Sequence, residues 1–209
     1  MPPKIRIASV CFAALAFATT AAAQTPLVAT LTHDQETTQG TFLTSSGGPR
    51  PQSFGSAVFV LNEAQTTLTF TANVFNIDVT GNQTPNDTND NLAAAHIHVG
   101  ADPGFNAPVR WGFFGTPDND VAPDDLVVTP FPTGVGGTFS SKWDAGEGNA
   151  GTTLATNLPD ILAGRSYINF HTVQFGGGEV RGQIVPEPSA AAVLCLALLG
   201  LGGRRRRAR

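Results

Sequence analysis

The sequence is poor in cysteine, with two residues in 209. Cys11 lies in an apolar stretch near the start of the chain, and Cys195 lies in another near its end. The segment between these stretches therefore cannot form a disulfide, even in a compartment that would allow one. A thiolate nucleophile, a cysteine-ligated zinc site and an iron–sulfur cluster are excluded there for the same reason.

Basic residues are also scarce between the two ends. Residues 24–185 contain five of them against fifteen acidic residues, which gives this segment a formal charge of −10. Nucleic-acid binding requires a basic surface, so the composition excludes it. Common catalytic signatures are missing as well: the chain has no G-x-S-x-G, H-E-x-x-H, P-loop or dinucleotide-binding motif. We therefore predict that the protein is not an enzyme.

Residues 1–23 have the composition of a secretory signal peptide. Lys4 and Arg6 precede an uncharged apolar stretch at 7–18, and small residues follow in an A-x-A site that ends at Ala23. This order predicts a signal helix, export, and cleavage by signal peptidase after Ala23. The alternative is a buried N-terminal helix of the fold. The apolar stretch stops at a cleavage-like site in place of a helix cap, which favours the signal peptide.

The C-terminal end combines a short apolar segment with a basic tail. Residues 189–203 carry no charge, and at ~1.5 Å per residue a helix of this length spans about 22 Å, less than the ~30 Å hydrocarbon core. We therefore predict a hydrophobic helix that inserts into the membrane transiently. The stop-transfer cluster that follows should stay cytoplasmic and keep the domain outside; it consists of Arg204, Arg205, Arg206 and Arg207.

A Pro-Glu-Pro motif formed by Pro186, Glu187 and Pro188 precedes this segment. With the apolar segment and the arginine tail, it resembles the PEP-CTERM sorting signal of Gram-negative bacteria that produce polysaccharide. The resemblance implies that an exosortase recognises residues 186–209, removes the tail near the motif and delivers the protein to the cell surface or extracellular matrix. The alternative is an ordinary C-terminal membrane anchor, which the short apolar segment disfavours.

Residues 24–185 are predicted to form one all-β domain. Helical periodicity is nearly absent, whereas apolar and polar residues alternate along residues 66–77 with the period of two that is typical of a half-buried strand. Residues 62–65 predict a hairpin turn, and residues 158–163 a short helical turn closed by Gly164. The eight predicted strands are 27–32, 55–61, 66–77, 94–99, 109–114, 138–143, 166–172 and 179–184.

This pattern predicts the fold class. Short strands joined by turn-rich loops, without repeating βα units, are typical of an antiparallel β-sandwich or barrel. The expected topology is a Greek key, immunoglobulin-like or superoxide-dismutase-like. The mature segment nevertheless has too few histidines, and no disulfide, to supply the metal centre of copper–zinc superoxide dismutase, so that likeness concerns the fold alone.

Polar side chains share one face on three of the predicted strands. His96 and His98 lie two residues apart and therefore point the same way, as do Asn169 and His171 on a later strand. If the strands are neighbours, three neutral imidazoles could bind copper or zinc. The alternative is a structural network in which Asn169, Glu179 and Arg181 satisfy the imidazoles and the backbone. The sequence alone favours the structural network.

The same residues carry a second family resemblance. The motifs A-H-I-H-V-G at 95–100, Y-I-N-F-H-T at 167–172 and G-G-E-V-R-G-Q-I at 177–184 resemble those of the CHRD domain, first described in chordin. The resemblance extends from about residue 27 to residue 185. It implies a β-sandwich-like extracellular domain without an established enzymatic activity.

Two acidic loops are candidate calcium sites, because carboxylate and amide oxygens are the ligands that calcium prefers. Neither loop has the spacing of an EF-hand, so flexible solvated loops are the alternative. The first loop contains Asp87, Asn89, Asp90 and Asn91; the second contains Asp118, Asn119, Asp120, Asp124 and Asp125.

Together these observations predict an exported surface or matrix protein. Its domain is expected to be a non-enzymatic binding or structural module whose partners are exopolysaccharide or other envelope components. The alternative function is transition-metal binding by the His-x-His pair and His171.

Overall fold

The computed structural model describes residues 24–121 and 123–187. The predicted signal peptide, the apolar C-terminal segment, the arginine cluster and Pro188 lie outside these residues. The described part contains a 3₁₀ turn (His33–Gln35), one α-helix, α1 (Leu154–Leu162), and nine β-strands. The strands are β1 (Thr25–Thr32), β2 (Phe54–Leu61), β3 (Thr67–Phe75), β4 (Leu92–Val99), β5 (Val109–Phe114), β6 (Val127–Pro130), β7 (Gly136–Asp144), β8 (Ser166–Thr172) and β9 (Val180–Pro186).

All nine strands belong to one antiparallel sheet in the order β5-β4-β8-β9-β1-β2-β3-β7-β6. The predicted hairpin is confirmed: β2 and β3 pair along their whole length around the turn at 62–65, with Phe59 opposite Phe70. The first and last of the described strands, β1 and β9, are neighbours, with Leu27 opposite Pro186. The predicted all-β class is therefore confirmed.

The sheet curls so that distant strands share one core. Trp111 on β5 stacks on Trp143 of β7, with ring centroids 5.6 Å apart and planes at 3°. Phe113 on β5 lies 4.8 Å from Phe70 on β3. Because β5 and β7 lie near opposite ends of the strand order, these contacts require the sheet to close over its apolar face. The result is a curled half-barrel filled by aromatic and aliphatic side chains.

Strand alternation explains which side chains fill this core. On β3, Leu68, Phe70, Ala72 and Val74 are at most 1% exposed, whereas the residues between them are half-buried or exposed. Adjacent residues of a strand point to opposite faces, so one face of β3 packs in the core and the other meets solvent.

Two elements differ from the sequence prediction. The short edge strand β6 was missed, because its four residues are mostly exposed and include Pro130, so they show no alternation. Helix α1 begins four residues earlier than predicted. A capping box between Thr153 and Thr156 starts it, and threonine at the third helical position is a weaker signal than glutamate or glutamine. Gly164, with φ of +71°, follows its end as predicted.

The face of β4, β8 and β9 that points away from the apolar core is also buried. Every residue of β8 is shielded from solvent, whichever face it lies on. Loops cover this face. The β4–β5 loop, the β5–β6 loop and the β8–β9 loop each place a backbone carbonyl against one of its histidines. Among the residues that the structure describes, no helix has the length and apolar character that crossing a membrane requires.

Candidate functional site

The candidate site lies on the loop-covered face of β4, β8 and β9, which are neighbours in the sheet. In the β4–β8 register, His96 is opposite Asn169 and His98 is opposite Tyr167. In the β8–β9 register, Asn169 is opposite Arg181. The two-residue period of each strand and these registers together place the polar side chains on one face.

Three imidazoles converge on this face. His96, His98 and His171 are 5%, 8% and 8% exposed. Nδ1 of His96 lies 3.2 Å from Nε2 of His171, and one ring nitrogen of each of the three residues lies within 4.8 Å of those of the other two. In the described residues this is the one group of three or more histidine, cysteine or carboxylate side chains placed to hold a metal ion.

The outer nitrogen of each ring is held by a backbone carbonyl. Nε2 of His96 lies 3.1 Å from the Thr116 oxygen, and Nδ1 of His98 lies 2.8 Å from that of Ala107. Nδ1 of His171 lies 3.1 Å from the oxygen of Gly176. A carbonyl oxygen can only accept a hydrogen bond, so each of these nitrogens carries the hydrogen. In the neutral rings, the inner nitrogens therefore present lone pairs.

The inner nitrogens find no donor among the described residues. Nε2 of His98 is buried without a hydrogen-bond partner there. The contact between His96 and His171 joins two lone-pair nitrogens when both rings are neutral. His33, the fourth histidine, differs: its Nδ1 lies 2.6 Å from the carbonyl oxygen of Glu179, and its Nε2 accepts from the N–H of Gly40.

Burial keeps these rings neutral. Burial, with a smaller contribution from the charge that His171 would carry, lowers the pKa of His96 and of His98 to about 4. Burial, with a smaller contribution from the nearby Arg181 guanidinium, also lowers the pKa of His171. Neutral imidazole is the form that coordinates metal ions.

A buried ion pair lies beside the histidines. Nη2 and Nε of Arg181 donate to one carboxylate oxygen of Glu36 at 2.6 and 2.9 Å. The guanidinium carbon lies 4.1 Å from the centre of the Tyr167 ring, which stacks on His98 at 4.6 Å. Burial raises the pKa of Glu36, while Arg181 opposes that shift. Glu36 was missed by sequence analysis, because it follows the 3₁₀ turn, where no strand alternation identifies a facing side chain.

Gly112 explains how the β5–β6 loop reaches His96. It lies opposite His96 in the β4–β5 register. A Cβ at this position would collide with the carbonyl oxygen of Pro117 and would lie 3.1 Å from Cδ2 of His96. The missing side chain therefore allows the carbonyl of Thr116 to approach the ring.

Glu179, which the sequence placed with the histidines, has a different set of partners. Its carboxylate accepts hydrogen bonds from Arg50, Ser53 and Thr172. The physical reason is local backbone geometry. Gly178 precedes it with φ of +125° and β9 begins only at Val180, so the strand alternation that orients Arg181 does not extend back to Glu179.

Asn169 lies between the histidines and this turn. A Cβ on Gly178 would be 2.6 Å and 2.7 Å from the two terminal atoms of the Asn169 side chain and 2.5 Å from Oε1 of Glu36. Oδ1 of Asn169 and Oε1 of Glu36 are buried without a partner among the described residues. Glycine is thus required at 178, because any side chain would displace these groups.

The carboxylates of the first acidic loop bond to nearby protein groups. Asp87 accepts from the backbone N–H of Ser45 and of Asn89. Asp90 accepts from the Thr84 hydroxyl, and Asn91 donates its backbone N–H to Thr88. Calcium binding by this loop remains a prediction.

The second acidic loop is likewise engaged with the protein. Asp118 accepts from the N–H of Asp120, and Asp124 accepts from that of Leu126. Asp125 pairs with Lys142 at 2.6 Å, and the Asn119 side chain accepts from Gly112. Here too, calcium binding remains a prediction.

The structure is thus a β domain with one curled sheet, in which loops cover the polar side chains on one face of β4, β8 and β9. A family model for the CHRD domain matches residues 21–184. The chain therefore belongs to the CHRD domain family, which is typical of extracellular and secreted proteins and is not known as enzymatic. Comparison with curated proteins and with solved structures found no match.

Proposed function

We propose that this protein is exported, processed at both ends and placed at the cell surface or in the extracellular matrix, where its CHRD domain acts as a non-enzymatic binding or structural module. The observation that carries the proposal is that the described β domain begins directly after the predicted signal peptide and ends at the predicted sorting motif. Signal peptidase and an exosortase are the processing partners that these two signals imply.

The ends of the domain support this processing. The first strand starts at Thr25, two residues after the predicted cleavage site. The last strand ends at Pro186, the first residue of the sorting motif, and Glu187 donates its backbone N–H to Pro26 at 3.1 Å. Val185, Pro186 and Glu187 are exposed. Cleavage before Gln24 and after Glu187 would therefore leave every described strand and every described core side chain in place.

The proposed partner of the mature domain is exopolysaccharide or another envelope component. Phe54 and Phe75 stack at 4.8 Å on the outer side of β2 and β3 while remaining 51% and 36% exposed. Phe131 lies 4.9 Å from Phe75. Exposed apolar groups of this kind are typical of interaction surfaces, and they support binding without a catalytic group.

The test is mass spectrometry of the protein made in a polysaccharide-producing Gram-negative host that has an exosortase. We expect a product that begins at Gln24 and lacks the arginine tail, recovered from the cell surface or matrix. Replacing Pro186, Glu187 and Pro188 with alanine should leave the tail attached and the protein in the membrane fraction. Glu63→Ala, at the exposed β2–β3 turn, is the matched control and should be processed normally. Intact ends on a protein that stays inside the cell would overturn the proposal.

A further inference from the structure

The histidine cluster has more hydrogen-bond acceptors than the described residues around it can supply with donors. Three backbone carbonyls take the outer N–H groups, which leaves three inner lone pairs directed into one buried space. An unsatisfied buried acceptor destabilises the folded state, and two facing acceptors also repel each other. Buried polar groups in folded proteins are rarely left unpaired, and a bound water or ion is a common reason when several of them meet in one space.

We propose that His96, His98 and His171 form a binding site for one transition-metal ion, copper or zinc. Each inner nitrogen is a ligand atom that needs no further deprotonation. Metal–imidazole bonds of about 2.0–2.1 Å put ligand nitrogens roughly 3.4 Å apart in a tetrahedral or trigonal site. The His96–His171 pair, at 3.2 Å, already has this spacing, and a ring nitrogen of His98 lies within 4.8 Å of a ring nitrogen of each of the other two residues.

The surroundings match those of known metal-binding histidines. In such sites the nitrogen that does not bind metal donates to a carbonyl or carboxylate, which fixes the tautomer and the ring orientation. All three rings have this contact, from Thr116, Ala107 and Gly176. Three different loops supply the three carbonyls, so the orientation of the rings is a property of the fold and not of one local turn.

The three imidazole ligands determine which type of metal ion the site would bind. Calcium and magnesium prefer oxygen ligands, and three imidazoles offer none. Imidazole suits copper and zinc, and the order of divalent stabilities favours copper over zinc. The nearby positive charge of Arg181 does not exclude a cation, because Glu36 pairs with it at 2.6 Å.

Metal analysis and titration of the full protein, purified from its producing host, test the proposal. After chelation, addition of Zn²⁺ or Cu²⁺ should restore one ion per chain and raise the melting temperature. With Cu²⁺, electron paramagnetic resonance should show coupling to ring nitrogens. His98→Gln, which keeps a donor for the Ala107 carbonyl, should lose more affinity than the roughly 10–100-fold that changes around the ligands cost.

His33→Gln is the matched control, because His33 is equally buried and both of its nitrogens are already bonded. It should retain one ion per chain at unchanged affinity, whatever its effect on stability. Binding that survives in both His98→Gln and His171→Gln would overturn the proposal. So would a wild-type protein that binds no stoichiometric ion, which would point to a proton shared between His96 and His171. If the glutamine variants do not fold, the copper spectrum of the wild type decides, and a spectrum without nitrogen coupling counts against the site.

Discussion

The two buried polar regions at β8 and β9 differ in how completely they are satisfied. Around Glu179, which is fully buried, each carboxylate oxygen accepts from an arginine nitrogen and from a hydroxyl group. Around the histidines, the inner ring nitrogens are acceptors that have no donor among the described residues. Thr172 belongs to the first region and its neighbour His171 to the second, because adjacent strand residues point to opposite faces.

This difference indicates a structural role for the network around Glu179 and supports the proposed metal-binding role of the histidine cluster. A saturated network in a low-dielectric interior stabilises one arrangement and has no capacity left for a ligand. The guanidinium of Arg50, which supplies the charge, is also packed 4.9 Å from the Phe42 ring and 5.7 Å from that of Phe175. An unsaturated cluster costs stability when empty and regains it when an ion binds.

Breaking the saturated network should have the largest effect. Glu179→Ala leaves the Arg50 guanidinium buried without a carboxylate, which should lower the free energy of unfolding by about 3–5 kcal/mol. Urea denaturation measures this loss. Arg165→Ala is the control. Its ion pairs with Asp102 and Asp160 are exposed, so it should cost less than about 1 kcal/mol. Equal losses in the two variants would remove the distinction between these pairs.

A change next to the histidine cluster should have an intermediate effect. Gly112→Ala places a methyl group against the Pro117 carbonyl and His96, which should cost about 1–3 kcal/mol by overpacking. It should also weaken Zn²⁺ binding about 10-fold or more, because the Thr116 carbonyl can no longer hold the ring. Gly177→Ala, with nothing within 4 Å of the added carbon, should change neither quantity. Unchanged zinc affinity in Gly112→Ala would show that the loop does not orient His96.

The last expected effect is a pH dependence of stability, and it should come from Asp120, a buried carboxylate that forms no ion pair among the described residues. Asp120 accepts from the Ser141 hydroxyl and the N–H of Asp125, and burial raises its pKa to about 6. Its folded pKa lies above the ordinary value of 3.8, so the folded state binds the proton more tightly. Stability should fall as pH rises from about 4 to about 6, by at most about 1.4 kcal/mol per pH unit, and then level off.

Asp120→Asn tests this pH dependence, because the amide has the size of the carboxylic acid but does not titrate. Denaturation across pH 4–7 should show a shallower slope for the variant and greater stability than the wild type at pH 7. A variant that follows the wild-type profile would mean that Asp120 does not supply the slope.

The sequence predicts the fold and the site where regular strands make apolar and polar residues alternate, and it fails where this alternation is interrupted. The alternation of residues 66–77 predicted β3 and its core face. The two-residue spacing of His96 and His98 predicted that they share a face, and His171 was expected to join them if the strands are neighbours. Alternation is a local property of regular strands. It therefore failed at Glu179, where Gly178 turns the backbone, and at β6, which is short and exposed.

The remaining features of the site depend on contacts between distant parts of the chain. The pairing of Glu36 with Arg181 joins residues 145 positions apart. The carbonyls that fix the ring tautomers come from loops whose conformation no periodicity encodes. The sequence could therefore indicate which side chains share a face but not which hydrogen bonds they make, and this is why it favoured a satisfied polar network for the histidines.

Because β1 and β9 are neighbours, both ends of the described domain lie on the same side. In the proposed membrane-tethered form, this would determine which side of the domain faces away from the membrane. Both strand ends that adjoin the proposed processing sites lie at one pole of the sheet, as does the β2–β3 turn. In the proposed form in which the tail holds the domain at the membrane, the opposite pole, formed by loops 33–53, 76–91 and 173–179, would face outward. A fluorescent tag ahead of Gln24 would crowd the sorting motif about one strand spacing, ~4.8 Å, away. An insertion at the exposed Ser45–Ser46 turn would sit at the far pole and leave sorting unhindered.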